Sequence, residues 1–188
     1  MSLCRLRVFT AVKIIFKMLH LYIGDGKGKT TAALGLALRA CGAEKKVYFA
    51  QFLKDSKFPC GEEAPLKKIG VKFERFRHQI HPLFDKAGEK SSSTKKSIDS
   101  ALSGIEKVIA GRKFNVIVLD EILNAWEAGL VDEKRLIGIV VAAQSLELVL
   151  TGRNTPKSIA TLAAYVSVVK KVKHPFDKKI VARKGIEY

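Results

Sequence analysis

The chain has 188 residues, 47% of them hydrophobic, and a formal net charge of +16. That is enough apolar material for one well-buried core, and the length predicts a single domain. A membrane span is excluded because no apolar run reaches the roughly 18 residues a bilayer requires. Cys4, Cys41 and Cys60 are widely spaced and form no C-x-x-C pair, so neither a disulfide framework nor a zinc site is expected. Reduced cysteines fit a cytoplasmic protein. The cationic excess predicts attraction to polyanions but does not choose among nucleotide, nucleic acid and acidic lipid.

Residues 1–17 carry Arg5, Arg7, Lys13 and Lys17 around the apolar run Val8–Val12. Lys13 interrupts that run and no small-residue cleavage site follows, which argues against a secretory signal. We expect a basic arm there, flexible or contributed by an upstream start of translation, ahead of one nucleotide-binding domain over 18–188. Leu19–Ile23 predicts a strand, Gly24–Gly28 a glycine-rich turn, and Thr30–Cys41 a helix stopped by Gly42. Val47–Leu53 predicts a buried strand, and the alternation of Val71–Phe76 a half-exposed one. Between them, Lys54–Ala64 holds Pro59 and Gly61 and reads as a loop. Arg77–Thr94 is polar and irregular.

Beyond it, Ile98, Ala101, Leu102, Ile105, Val108 and Ile109 recur at helical spacing up to Gly111. Phe114–Leu119 is a continuous apolar strand running into Asp120-Glu121. Asp132 caps a helix through Leu136–Ala142, and Leu146–Leu150 is a strand ending at Thr151-Gly152-Arg153. Asn154 or Thr155 caps the next helix, with Pro156 at its first position. Tyr165–Val172 is the last strand, and His174-Pro175-Phe176-Asp177 a turn before a basic tail that reads as solvated surface. Such alternation predicts an α/β fold with a mostly parallel sheet flanked by helices, the three-layer RecA-like P-loop arrangement. Ligands bind such sheets at the carboxyl ends of the strands, where Gly24–Thr31, Gln51–Lys54, Asp120-Glu121 and Thr151–Arg153 converge.

The run Gly24-Asp25-Gly26-Lys27-Gly28-Lys29-Thr30-Thr31 is the chemical centre of the sequence. Its glycines let backbone N–H groups turn toward a polyphosphate, and the helix start adds partial positive charge. Lys29 reaches a phosphate oxygen, and the Thr30 hydroxyl ligates Mg²⁺ or Mn²⁺ with Asp120 or Glu121 completing the shell. A strict phosphate loop needs glycine at position 23, which is Ile23, so this loop is one residue short. Arg153 is a candidate phosphate contact. His78, His81 and His174 read as surface or packing residues, and no base for phosphoryl transfer shows itself beyond Glu121. The residues alone thus reach an enzyme using a metal–ATP complex and leave its acceptor open.

The same segments, with Gln51-Phe52-Leu53-Lys54, Val118-Leu119-Asp120-Glu121, Leu150-Thr151-Gly152-Arg153, Val172–Asp177 and the closing Gly185-Ile186-Glu187-Tyr188, resemble the ATP:corrinoid adenosyltransferases from about Leu19 to Tyr188. The short loop is typical of that family. The resemblance implies transfer of the 5′-deoxyadenosyl group of ATP to the Co(I) of a reduced corrinoid, with triphosphate leaving and the nucleotide reversed relative to common P-loop enzymes. It implies catalytic roles for Lys29, Thr30 and Glu121, and nucleotide contacts from the glycine loop, Lys27, Thr31, Arg39 and Arg153. The corrinoid would be cobalamin, cobinamide or cobyrinic acid a,c-diamide, reduced by a flavoprotein, and the enzyme a homodimer.

Two departures stand out. Asp25 replaces the family's common asparagine, and Phe76–Phe84 offers His81 and Phe84 but no tryptophan where members carry a Phe-x-Trp pair. Trp126 lies elsewhere and is expected to pack a helix. Two other classes compete: a basic RecA-like ATPase that binds nucleic acid, favoured by the +16 charge, and a small-molecule kinase.

Overall fold

The computed structural model describes residues 16–57, 59–79 and 91–186. Six strands form one all-parallel sheet in the order β3-β2-β4-β5-β1-β6: β1 Phe16–Ile23, β2 Val47–Gln51, β3 Lys72–Arg75, β4 Val116–Asp120, β5 Glu147–Thr151 and β6 Ala163–Val168. β2 and β4 are buried along their whole length. Their continuous apolar runs follow from this, because helices cover the central sheet on both faces.

One face carries helix α1 (Lys29–Gly42) and α2 (Glu63–Lys68). Ala33, Ala37 and Ala40 recur at i, i+4, i+7 and pack with Phe49, Val118 and Val149. Small side chains bring α1 close to the sheet and so set its first turn beside the strand ends. The opposite face carries α3 (Ser91–Ala110), α4 (Ile122–Glu127), α5 (Glu133–Ala142) and α6 (Lys157–Ala160). Ile98, Leu102 and Ile105 of α3 join Leu136, Ile139 and Val140 of α5 in the larger core cluster. Full burial of such a side chain stabilises by about 1.5–3 kcal/mol.

The elements depart from the sequence-based expectations in six places. β1 begins at Phe16, so the expected arm of 1–17 lies outside the described residues except for its last two. α2 begins inside the segment expected to be loop; Leu66 is its one buried side chain, packed on the sheet, while Glu63, Lys67 and Lys68 are polar. α3 starts at Ser91, earlier than its apolar stripe indicates; Thr94 is buried and its hydroxyl donates to the His78 carbonyl at 2.8 Å. α4 follows Asp120-Glu121 directly, too short to show a period. Pro156 is the cap of α6 rather than its first residue, and β6 spans Ala163–Val168, stopping short of Val172. Asp132 does cap α5, accepting the Lys134 N–H at 2.7 Å. His81 and Phe84 lie outside the described residues.

Candidate nucleotide site at the carboxyl edge of the sheet

The loop between β1 and α1 is held open by contacts at its back. Gly24 and Gly26 donate their N–H groups to the carbonyls of Arg153 and Val169, each at 2.8 Å. A Cβ on Gly24 would stand 2.3 Å from the Val169 oxygen, and Gly24 and Gly28 have φ of +115° and +128°, so both close approach and backbone hand require glycine. The Asp25 carboxylate accepts the Lys171 N–H at 3.0 Å, and that bond above all holds it below the usual carboxylate range. This contact gives the departure at Asp25 a structural role: its charge is turned to the loop's back, toward the segment leaving β6.

α1 starts with no side-chain cap and no acidic residue in its first turn, the composition of a helix start left for an anion. Lys29 curls back, donating to the Gly26 carbonyl at 2.8 Å; burial lowers its pKa while the charge of Glu121 opposes the drop.

Asp120 is wholly buried at the end of β4, and each of its oxygens is used. Oδ1 accepts from Thr151 Oγ1 at 2.7 Å and from Thr30 Oγ1 at 3.0 Å, while Oδ2 accepts from Gln51 Nε2 at 3.0 Å. Sheet order explains the set: Gln51 is in register with Asp120 on one side, and β5, whose last residue is Thr151, lies between β4 and the loop-bearing β1. Glu121 adopts the left-handed φ of +63° as it enters α4, and its N–H donates to Thr151 Oγ1 at 2.9 Å. Burial, with the Asp120 charge adding to it, raises the Glu121 pKa to about 7. A non-glycine residue held in this region marks a position fixed by its surroundings.

The cavity in front of the loop has a volume of about 520 Å³ and is lined by residues 25–31, Leu34, Lys54, Gly61, Glu62, Glu121, His174, Gly185 and Ile186. The predicted Gly26, Lys27, Gly28, Lys29, Thr30, Thr31 and Glu121 therefore meet at one surface. Arg153 lies close enough for its charge to act on Lys29. Arg39 does not join them. It sits at the far end of α1 in another cavity, with His20, Leu36, Lys45, Glu147 and Tyr165.

Glu62 is the residue that sequence reasoning missed. Its Oε1 accepts from Gln51 Nε2 at 3.0 Å and lies 3.6 Å from the Lys54 ammonium. Burial pushes its carboxyl up, but hydrogen bonds from Gln51 and Cys60 and the Lys54 charge outweigh that and hold it below the usual range. Its neighbour Glu63 turns outward to Lys67 and Arg75. An acidic residue after Gly61, in the turn leaving a strand's carboxyl end, was the available signal.

A family model described as ATP:corrinoid adenosyltransferase BtuR/CobO/CobP matches residues 16–188. The chain is 31% identical over 169 residues to the corrinoid adenosyltransferase of Escherichia coli K12, covering 89% of this chain and 83% of that one. It is 31% identical over 173 residues to corrinoid adenosyltransferase CobA of Salmonella typhimurium, again covering 89% and 83%. In fold it is similar to a KaiC-like protein of Pyrococcus horikoshii, with a TM-score of 0.52 over 83% of this chain and 73% of that chain at 16% identity.

Proposed function

Because the chain belongs to the ATP:corrinoid adenosyltransferase family, we propose that it transfers the 5′-deoxyadenosyl group of ATP to the Co(I) of a reduced corrinoid. The Co(I) electron pair attacks C5′, a Co–C bond forms, the C5′–O bond breaks and triphosphate leaves. The observation that carries the reading is the cavity itself. It joins an uncapped helix start, Lys29 and the Thr30–Asp120 pair, a set suited to holding a polyphosphate leaving group. The protein supplies no nucleophile in this scheme because the substrate carries one. The nucleic-acid ATPase and kinase readings are not favoured by the family match.

Thr30, Asp120 and Glu121 are hard oxygen donors and fit Mg²⁺ or Mn²⁺. Among the described residues no three His, Cys, Asp or Glu side chains cluster as a closed metal cage. That suits an ion held partly by the protein and partly by phosphates and water. When bound, such an ion neutralises charge on the departing triphosphate. Thr30 and Asp120 fix the donor geometry, Lys27 and Lys29 bind phosphate oxygens, and Arg153 adds charge at the rim. Asp25 holds the loop shape from behind.

Apolar residues exposed on the edge strand β6, Tyr165, Val166 and Val168, support a homodimer, since a second copy would cover them. The free thiols of Cys41 and Cys60 support the cytoplasm, where a flavoprotein would supply the reductant. The test is product analysis with chemically reduced cobalamin and ATP. Adenosylcobalamin and triphosphate are expected in equal amounts; ADP and phosphate alone would exclude the reading.

A further inference from the structure

Gln79 is wholly buried, yet it stands outside the cavity lining and has no part in the chemistry described so far. Its amide faces the end of β2. Oε1 accepts the Leu53 N–H at 3.0 Å, while Nε2 donates to Ser97 Oγ on α3 at 3.4 Å, and that hydroxyl donates in turn to the Arg77 carbonyl at 2.7 Å. The residue before Gln79 is pinned as well: the His78 N–H donates to the buried Asp55 carboxylate at 3.2 Å, and the His78 carbonyl accepts from Thr94. Gln79 therefore reaches Leu53 from a fixed base.

Leu53 is the residue that needs holding. Its φ is +55°, a left-handed conformation disfavoured for leucine, and its side chain is buried in the larger core cluster. One residue earlier the strand direction still holds, because the Phe52 N–H donates to the Asp120 carbonyl at 2.9 Å. The left-handed residue ends that pairing and turns the chain, and the next residue, Lys54, comes to line the nucleotide cavity. There its ammonium lies 3.6 Å from Glu62, and its charge acts on Glu121 as well. Both carboxylates line the same cavity and would repel a triphosphate. Lys54 offsets both.

We infer that Gln79 is a positioning residue for ATP binding: by holding Leu53 left-handed, it places Lys54 in the cavity as the counter-charge of Glu62 and Glu121. The inference rests on the nucleotide half of the reading above.

The test is a double-mutant cycle on ATP affinity, measured by titration calorimetry without corrinoid. Lys54→Met should raise the ATP Kd about tenfold, the scale of one charged contact. Gln79→Met, which keeps the volume and removes the acceptor, should raise it about three- to tenfold, and in turnover with reduced cobalamin the loss should fall on KM rather than kcat. Because Gln79 acts through Lys54, the double variant should bind within about twofold of Lys54→Met alone. A purely structural glutamine would instead give losses that multiply to about 30- to 100-fold, and that result overturns the inference. So does a Kd left unchanged by either single variant. Thermal melts check the fold. If Gln79→Met does not fold, Ser97→Ala, which loosens Gln79 from the α3 side, takes its place in the cycle. A rise of about two- to threefold is then expected that vanishes in the Lys54→Met background; no rise, or one that persists there, overturns the inference. A wild type that binds ATP but adenosylates no corrinoid overturns the transferase reading and leaves this inference standing, whereas one that binds no ATP overturns both.

Discussion

The two edges of the parallel sheet each hold a cavity, a carboxylate and several cations, yet they are built in opposite ways. At the amino edge, His20 meets Glu147 at 2.8 Å and stacks on Tyr165 with ring centroids 4.4 Å apart, beside Arg39 and Lys45. His20 holds both contacts, Glu147 is half-buried, and Tyr165, Arg39 and Lys45 are open to solvent. At the carboxyl edge, Asp120 and Gln51 are wholly buried and share hydrogen bonds with Thr30, Thr151 and Glu62. A buried network is stabilising only when each member is satisfied, and removing one member strands the others. Backbone hand does not separate the edges: positive φ occurs at Gly24, Gly28, Leu53 and Glu121 near the carboxyl edge and at Glu44, Gly70 and Arg112 in the turns that enter strands. The amino edge is held by separate local contacts, whereas the carboxyl edge is a connected buried network fixed in shape before any ligand arrives.

Substitutions at the two edges should therefore differ sharply. The largest effect is expected from Lys29→Ala, which removes the cation proposed to bind phosphate without opening the core. Turnover should fall about 100- to 1,000-fold with an unchanged thermal midpoint, and a retained rate measured by corrinoid product would break the contrast. Next comes Glu121→Gln, read through pH in metal-free protein. The folded Glu121 titrates at about 7 against an ordinary 4.5. Between those values the folded state keeps a proton that the unfolded chain has shed, so stability falls as pH rises through the window, by about 3 kcal/mol in all. Glu121→Gln should flatten that fall and leave the variant the more stable protein above pH 7, as read from urea midpoints across the range; parallel wild-type and variant curves would refute it. The smallest effect belongs to His20→Ala, which loses one part-buried pair and a ring contact. A stability change of about 1 kcal/mol or less is expected, with turnover within about twofold of wild type. A collapse of activity there would show that the amino edge takes part in the reaction.

Much of the carboxyl edge was legible because its chemistry is local. Gly24–Thr31 is a contiguous loop whose residue types dictate its conformation, and Asp120 ends an apolar strand where an unpaired carboxylate would be costly. Arg39 shows what periodicity alone does not convey: ten residues after Lys29, it stands at the other end of a 14-residue helix, carried away from the loop. Glu62 was hidden for a different reason. Its role depends on Gln51 reaching it from the neighbouring strand end, and nothing in the pair Glu62-Glu63 says which carboxylate turns inward. α4 and α6 were hard to see because helices of six and four residues are too short to carry a periodic signal.

The bonds from Val169 and Lys171 to Gly26 and Asp25 join the beginning of the chain to its far end. During synthesis the loop emerges well before the segment after β6 that braces it. Loop, β1 and α1 therefore wait for β6, and a nascent or truncated chain lacking residues after Val168 is left with an unbraced loop. Removing the residues after Val168 is therefore expected to weaken ATP binding while leaving the sheet core in place, as read from the ATP-dependent shift in thermal midpoint.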